Sequence, residues 1–186
     1  MSTSSEALEY MLKHKDIMTI LDVGSGEGLH ARNMRESGKT VVTLSLCEPA
    51  DIVCDFLEWR PMDGELYDCI WASHVLEHQL NPNLFLKKCF SLLKDNGLFC
   101  VTVPPLKHEI VGGHINLYNA GLLIYQCILA GFDCSRAKIW KYDYNISLVV
   151  RKMEADLPKL SMDTGDIEAL AKFFPMDVYQ GFNGDF

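Results

Sequence analysis

Short β-branched apolar runs alternate along the chain with longer stretches in which apolar residues return at helical spacing. The runs are MTILDV (18–23), TVVTLSL (40–46), DIVC (51–54), YDCIWAS (67–73), LFCVTV (98–103), DCSRAKIW (133–140) and NISLVVRK (145–152). Helical spacing covers 28–37, 82–94 and 118–130, and each stretch is followed by a stop signal: Gly38, the Asp95-Asn96-Gly97 triplet and Gly131. This alternation predicts an α/β protein whose parallel sheet is covered by helices on both faces. WKYDYN (140–145) is too short to hold a crossover helix, so the last two strands are expected to form an antiparallel hairpin and make the sheet mixed at one edge. CEPA (47–50) is equally short, which predicts that the usual helix between the second and third strands is missing. Beyond about residue 153 the chain turns acidic and loses periodicity, and its end, YQGFNGDF, is expected to be a loosely held tail or a lid.

The bulk numbers narrow the setting. A chain of 186 residues with 48% hydrophobic and 23% charged residues has globular composition, and it holds no run near the roughly 20 apolar residues that cross a bilayer. The first residues, MSTSSEALEYMLKHKD, lack a basic segment, an apolar core and a small-residue cleavage site, so a cytoplasmic location is expected. A net charge of -8 without a dense Lys/Arg stripe argues against a nucleic-acid partner. None of the seven cysteines forms a C-x-x-C pair, and they are expected to be reduced core residues.

The chemistry starts at TILDVGSGEGLHARNM (19–34), where a buried-strand pattern meets Gly24, Gly26 and Gly28 and then a helix. Glycine tolerates positive φ and lets backbone approach a ligand closely, so a nucleotide or nucleoside is the natural occupant. The spacing is G-x-G-x-G: a dinucleotide fingerprint needs glycine at position 29, which is Leu29, and no Lys-Ser/Thr pair follows for a phosphate loop.

LDVGSGEG, together with YDCIWASHVLEH (67–78), FLKKCFSLLKDNGLFCVTVP (85–104) and GHINLYNAGLLIYQCILAGFD (113–133), resembles the class I S-adenosylmethionine-dependent methyltransferases, over residues 18 to 152 and in the family's order. The resemblance implies a Rossmann-like, doubly wound mixed sheet of about seven strands. It also implies a methyltransferase-like domain over 1–152, with 153–186 an acidic extension packed on or capping it. The cofactor implied is S-adenosyl-L-methionine. By the same resemblance Asp22 and the backbone around Gly24, Ser25 and Gly26 hold its methionyl end, Gly28 belongs to the same cofactor-binding loop, Asp55 and Phe56 border the adenine, and Ala72, Ser73 and His74 line its floor. One departure stands out: Ser45 occupies the place of the family's acidic ribose contact, and Glu48 is the alternative that would reach back.

Methyl transfer needs an in-line nucleophile, and a base only when that nucleophile is protonated. His30, His74, His78, His108 and His114 are expected near the carboxyl ends of strands. His114 is the first candidate for the base and His74 the second, with Tyr118 and Asn119 shaping the acceptor pocket. His74, Glu77, His78 and His114 also make a possible divalent-ion set, although relatives without metal carry the same HVLEH-like turn, and no metal ligand is assigned. Trp71, Trp140 and Tyr142 are expected to pack in the core or at a sheet edge. The signatures of DNA amino- and cytosine-C5-methyltransferases are absent, and no recognition module is added. A small-molecule or saccharide hydroxyl is therefore the expected acceptor. The alternatives are a metal-assisted O-methyltransferase acting on an RNA 3′-end or a quinone-type phenol, and a catalytically silent S-adenosylmethionine-binding module.

Overall fold

The computed structural model describes residues 3–185. One seven-stranded sheet organises the chain, built from β1 (Thr19–Val23), β2 (Thr40–Ser45), β3 (Ile52–Val53), β4 (Tyr67–Ser73), β5 (Leu93–Val103), β6 (Lys138–Tyr142) and β7 (Asn145–Arg151). The spatial order is β3-β2-β1-β4-β5-β7-β6. The first five strands pair in parallel, whereas β7 runs antiparallel to both β5 and β6. The hairpin expected at the edge is therefore present, and its reversal places the start of β7 beside the end of β5, with Thr102 opposite Ser147.

The period-2 alternation of each strand separates two cores. Ile20, Val41, Cys69, Trp71, Leu98, Cys100 and Val149 pack beneath α1 (Ser5–Leu12) and α2 (Leu29–Glu36), joined by Ala7, Met11, Ala31 and Met34. On the other face Leu21, Val23, Ile70, Ala72, Phe99, Val101 and Leu148 pack beneath α3 (Pro82–Leu92) and α4 (Ala120–Leu129). Pro82 opens α3 at a position where its missing N–H costs nothing. The Asn119 side chain caps α4 by accepting from the Leu122 amide at 2.8 Å.

Several elements differ from the sequence expectations. α1 lies in a segment for which no helix is expected, and so does α5 (Asp166–Leu170), which continues into a 3₁₀ turn at Ala171–Phe173. Leu170, Phe173, Phe174 and Val178 are buried in the second core, and within YQGFNGDF the Phe182 side chain packs against that core and the Gly184 carbonyl accepts from the Gly121 amide at 2.9 Å, so residues 182–184 are docked rather than loose. The strand expected at 133–140 starts only at Lys138. Asp133 instead closes a turn onto the Ser135 amide (2.9 Å) and ties its own amide to the Met153 carbonyl (2.8 Å). The third helix ends at Leu92, and residues 94–97 bulge opposite Asp68 before pairing with β4 resumes at Leu98. No helix joins β2 to β3: β3 is two residues long, so the chain has only about 7 Å to retrace. Five cysteines are buried, but Cys47 is exposed and Cys54 half-buried, which corrects the expectation that all seven are core residues.

Candidate functional site

β1 runs out into the glycine bend, where Gly24, Gly26 and Gly28 have φ of 75°, 51° and 69°. The amides of Gly24 and Ser25 donate to the Leu44 carbonyl at 2.7 and 3.2 Å, pinning the bend to β2. Gly28 then opens α2, its carbonyl accepting from the Arg32 amide. The glycines face different surroundings. A Cβ on Gly24 would lie 2.8 Å from Val75 Cγ2, so that glycine makes room for the residue leaving β4, whereas a Cβ on Gly26 or Gly28 would meet nothing within 4 Å. The outer surface of the bend is open.

The strand side chains that face α1 and α2 turn polar at this edge of the sheet: Ile20 is followed by Asp22, Val41 by Thr43 and Ser45, Trp71 by Ser73, and Cys100 by Thr102. In antiparallel β7 the matching residues are Ser147 and Asn145. Thr102 and Tyr142 both hydrogen-bond the Ser147 hydroxyl, at 2.7 and 2.8 Å. Ser4, fully buried, hydrogen-bonds Ser73 at 2.6 Å and donates its amide to Asn145 Oδ1 at 3.4 Å. His30 contacts the Thr3 carbonyl through Nε2 at 2.8 Å. The N-terminal segment is thus stitched across the ends of β4 and β7.

Asp22 breaks this pattern of satisfied polar groups. It is 2% exposed, and its Oδ2 has no hydrogen-bond partner; nor do the indole N–H of Trp71, its neighbour in register, and the Ser25 hydroxyl. Burial pushes the Asp22 carboxyl up to about 7, against the pull of the Arg35 charge. A buried carboxylate without a partner is costly, and a cationic or hydrogen-bonding ligand would supply what the protein does not.

Beyond β4 the chain turns sharply. His74 adopts φ 54° and its amide donates to the Thr102 carbonyl at 2.8 Å. A 3₁₀ turn over Leu76–His78 then buries Glu77 completely. Neither Glu77 carboxylate oxygen makes a hydrogen bond, yet Oε1 lies 3.4 Å from His74 Nδ1 and 3.7 Å from His78 Nε2, contacts that are ion pairs only when the imidazole is protonated. His74 Nε2 faces Asn145 Oδ1 at 2.9 Å. Burial lowers the proton affinity of His74, but Glu77 and Asn145 outweigh it and the net shift is upward. His78 Nδ1 meets the Gly113 carbonyl at 2.8 Å, and its ring stands edge-on to His114 at 4.9 Å. The ligating atoms of Glu77, His78 and His114 all fall within 4.8 Å of one another, and His74 is not part of that set.

The remaining predicted residues divide. Ser45 is buried at the end of β2, where its carbonyl accepts from the Cys54 amide. Glu48 is exposed, in a surface cleft with Arg32, Arg35 and Asp51. Asp55 is exposed and caps a turn through the Leu57 amide at 2.7 Å. The Phe56 ring packs in the core at 5.0 Å from Phe85. Tyr118 is fully buried, and Asn119 caps α4 while lining a cavity with Gly121, Tyr125 and Phe182. His108 lies in an exposed loop. Trp71 is core, and Trp140 packs against the same cluster. Sequence reasoning misses Ser4 and Asn145; the signal for the whole polar row is the loss of apolar character on one face at the end of successive strands.

A mixed sheet in the order 3-2-1-4-5-7-6, with β7 alone reversed, a glycine bend after its first strand and polar groups along one edge, defines a class I methyltransferase fold. A family profile described as a methyltransferase domain matches residues 3–135, and the chain belongs to that family, the S-adenosylmethionine-dependent methyltransferases. It is 34% identical over 87 residues to the ubiquinone biosynthesis O-methyltransferase of Glaesserella parasuis serovar 5 (strain SH0165), an alignment covering 46% of this chain and 35% of that protein. To the mitochondrial enzyme of the same name from Rattus norvegicus it is 32% identical over 106 residues, covering 46% and 31%. The chain thus matches about a third of the length of these curated relatives. The fold is similar to that of the 1,6-didemethyltoxoflavin-N1-methyltransferase of Burkholderia thailandensis, solved with 1,6-didemethyltoxoflavin and S-adenosylhomocysteine bound. That TM-score is 0.67 at 18% identity, over 81% of this chain and 76% of that one.

The residues present suit the family's cofactor. The unpartnered Asp22 carboxylate offers an anion to an α-ammonium group, and the open bend at Gly26 and Gly28 leaves room for a backbone-held ligand.

Proposed function

We propose that the protein binds S-adenosylmethionine at the Gly24–Gly28 bend and transfers its methyl group to a hydroxyl of a small-molecule or saccharide acceptor. The observation that carries this reading is the buried, unpartnered Asp22 carboxylate beneath the open bend. In the proposal Asp22, Gly24, Ser25 and Gly26 hold the methionyl end with Gly28 in the same loop, Ser45 the ribose, Asp55 and Phe56 the adenine, and Ser73 and His74 the floor. Bound there, the cofactor supplies a methyl group on a positively charged sulfur. His114 takes the acceptor's proton. His74 is the less suited base, because acceptor atoms stand against both of its ring nitrogens. The named relatives favour oxygen as the methylated atom.

Residues 1–152 act as the methyltransferase unit and 153–186 as an extension packed on it, in a cytoplasmic protein. No helix among the described residues is long and apolar enough to cross a membrane. Calorimetric titration with S-adenosylmethionine, followed by turnover with a panel of phenols, alcohols and sugars, tests the reading. Sub-millimolar binding with release of S-adenosylhomocysteine is expected, and absence of binding overturns it.

A metal-assisted variant is favoured by one specific observation. The ligating atoms of Glu77, His78 and His114 converge, and the Glu77 carboxylate is buried without a hydrogen bond. These three side chains would hold a divalent ion that acidifies a phenol or a vicinal diol. Loss of turnover with a chelator and recovery with added Mg²⁺ or Mn²⁺ would support that variant; turnover indifferent to chelation would remove it.

A further inference from the structure

The connection from β3 to β4 contains no helix, yet its first part is held unusually firmly. Asp55 to Trp59 form one helical turn: the Glu58 and Trp59 amides donate to the Asp55 carbonyl at 3.1 and 2.8 Å, and Asp55 Oδ1 caps the Leu57 amide. A single turn leaves its carbonyls unpaired. Lys88, reaching across from α3, donates through Nζ to the carbonyls of Phe56 and Trp59 and, at 3.5 Å, of Leu57. Its ammonium also lies 4.8 Å from the centre of the Phe56 ring and 5.6 Å from that of Trp59. Arg60 adds donors to the carbonyls of Leu57, Glu58 and Trp59 at 2.9 to 3.1 Å. Lys88 therefore spends its three donors on the main chain of one turn, doing for that turn what a following helical turn would otherwise do.

We propose that Lys88 is a positioning residue for the cofactor's purine: by clamping the Asp55–Trp59 turn, it sets the Asp55 carboxylate where an exocyclic amine can donate to it. The inference rests on the reading that Asp55 and Phe56 border the adenine. A carboxylate in that place accepts from the 6-amino group of adenine and repels the 6-oxo group of hypoxanthine, so base preference reports where the turn sits.

The test measures calorimetric affinity for S-adenosylhomocysteine and for its 6-oxo counterpart, S-inosylhomocysteine, in the wild type, Lys88→Met and Lys88→Arg. The wild type should prefer the adenosyl compound by about tenfold or more, as expected for a hydrogen bond to a charged acceptor. Lys88→Met should lose most of that preference, while Lys88→Arg, which keeps donors to the turn, should retain most of it. With S-adenosylmethionine, KM should rise in Lys88→Met while kcat at saturation holds. If Lys88→Met fails to fold, Lys88→Gln, which removes the charge and keeps an amide, takes its place. An unchanged preference in a folded Lys88 variant overturns the role of Lys88 and leaves the Asp55 reading standing. No preference in the wild type defeats the Asp55 reading, and the role of Lys88 with it.

Discussion

Replacing Asp22 with asparagine should stabilise the cofactor-free protein at alkaline pH while weakening it as a binder. The folded-state carboxyl is raised from 3.8 to about 7 by burial, so between those values the folded protein holds its proton more tightly than the unfolded chain does. Stability from this group is then greatest at low pH, falls as pH rises from about 4 to 7, and levels off above. A shift of about three units at about 1.4 kcal/mol per unit makes the penalty at pH 8 about 4 kcal/mol, an upper bound because burial relaxes when a charge forms. Asparagine does not titrate, and any cost of burying its amide is the same at every pH. The stability difference between Asp22→Asn and wild type should therefore move in favour of the variant by up to about 4 kcal/mol between pH 4 and 8. Urea unfolding of both proteins across that range reads the difference directly. At pH 8 affinity for S-adenosylhomocysteine should fall about 10- to 100-fold in the variant, since an ion pair with the ligand's ammonium is lost. Two stability curves that run parallel from pH 4 to 8 would refute the argument, because the carboxylate would then have a partner or be solvated.

Gly24→Ala should cost about 2–4 kcal/mol, combining a φ of 75° with a Cβ only 2.8 Å from Val75 Cγ2, and Val75→Ala added to it should recover the steric part alone. Gly26→Ala, with open space around its Cβ, should cost only about 1 kcal/mol; thermal melts showing equal losses at both glycines would contradict this distinction. Gly121→Ala puts a Cβ 2.7 Å from Gly184 Cα and 2.9 Å from Phe182 Cζ, so hydrogen exchange at 181–185 should rise sharply, and unchanged protection would disprove that docking. His114→Ala should lower turnover by about 10²- to 10⁴-fold with S-adenosylhomocysteine affinity intact, and wild-type turnover would remove it as the base.

The sheet is legible because each strand carries its own apolar alternation, and the hairpin because six residues cannot hold a crossover. α1 is harder to read: Ala7, Leu8 and Met11 form a narrow apolar stripe in a polar segment, and its order comes from packing on the sheet. The shifted sixth strand follows from Asp133, whose turn-forming side chain competes with extension in a stretch of otherwise strand-like composition. At the site, the glycine bend and Asp22 announce themselves by spacing and by a charge inside an apolar run. Asn145 does not, since in YDYN it reads as an ordinary turn residue, and only the reversal of β7 brings it to His74. Tyr118 and Asn119 stand in a segment of functional appearance, where one fills the core and the other caps a helix at the edge of a cavity.

The stitching of residues 3 and 4 onto His30, Ser73 and Asn145 has a practical side. Thr3 and Ser4 are held close to the turn that carries His74, so an affinity tag attached ahead of them is expected to compete for space with incoming reactants. An enzyme preparation for acceptor screening is better purified with its leader cleaved close to the first residue, because an idle assay of a tagged form would report the tag.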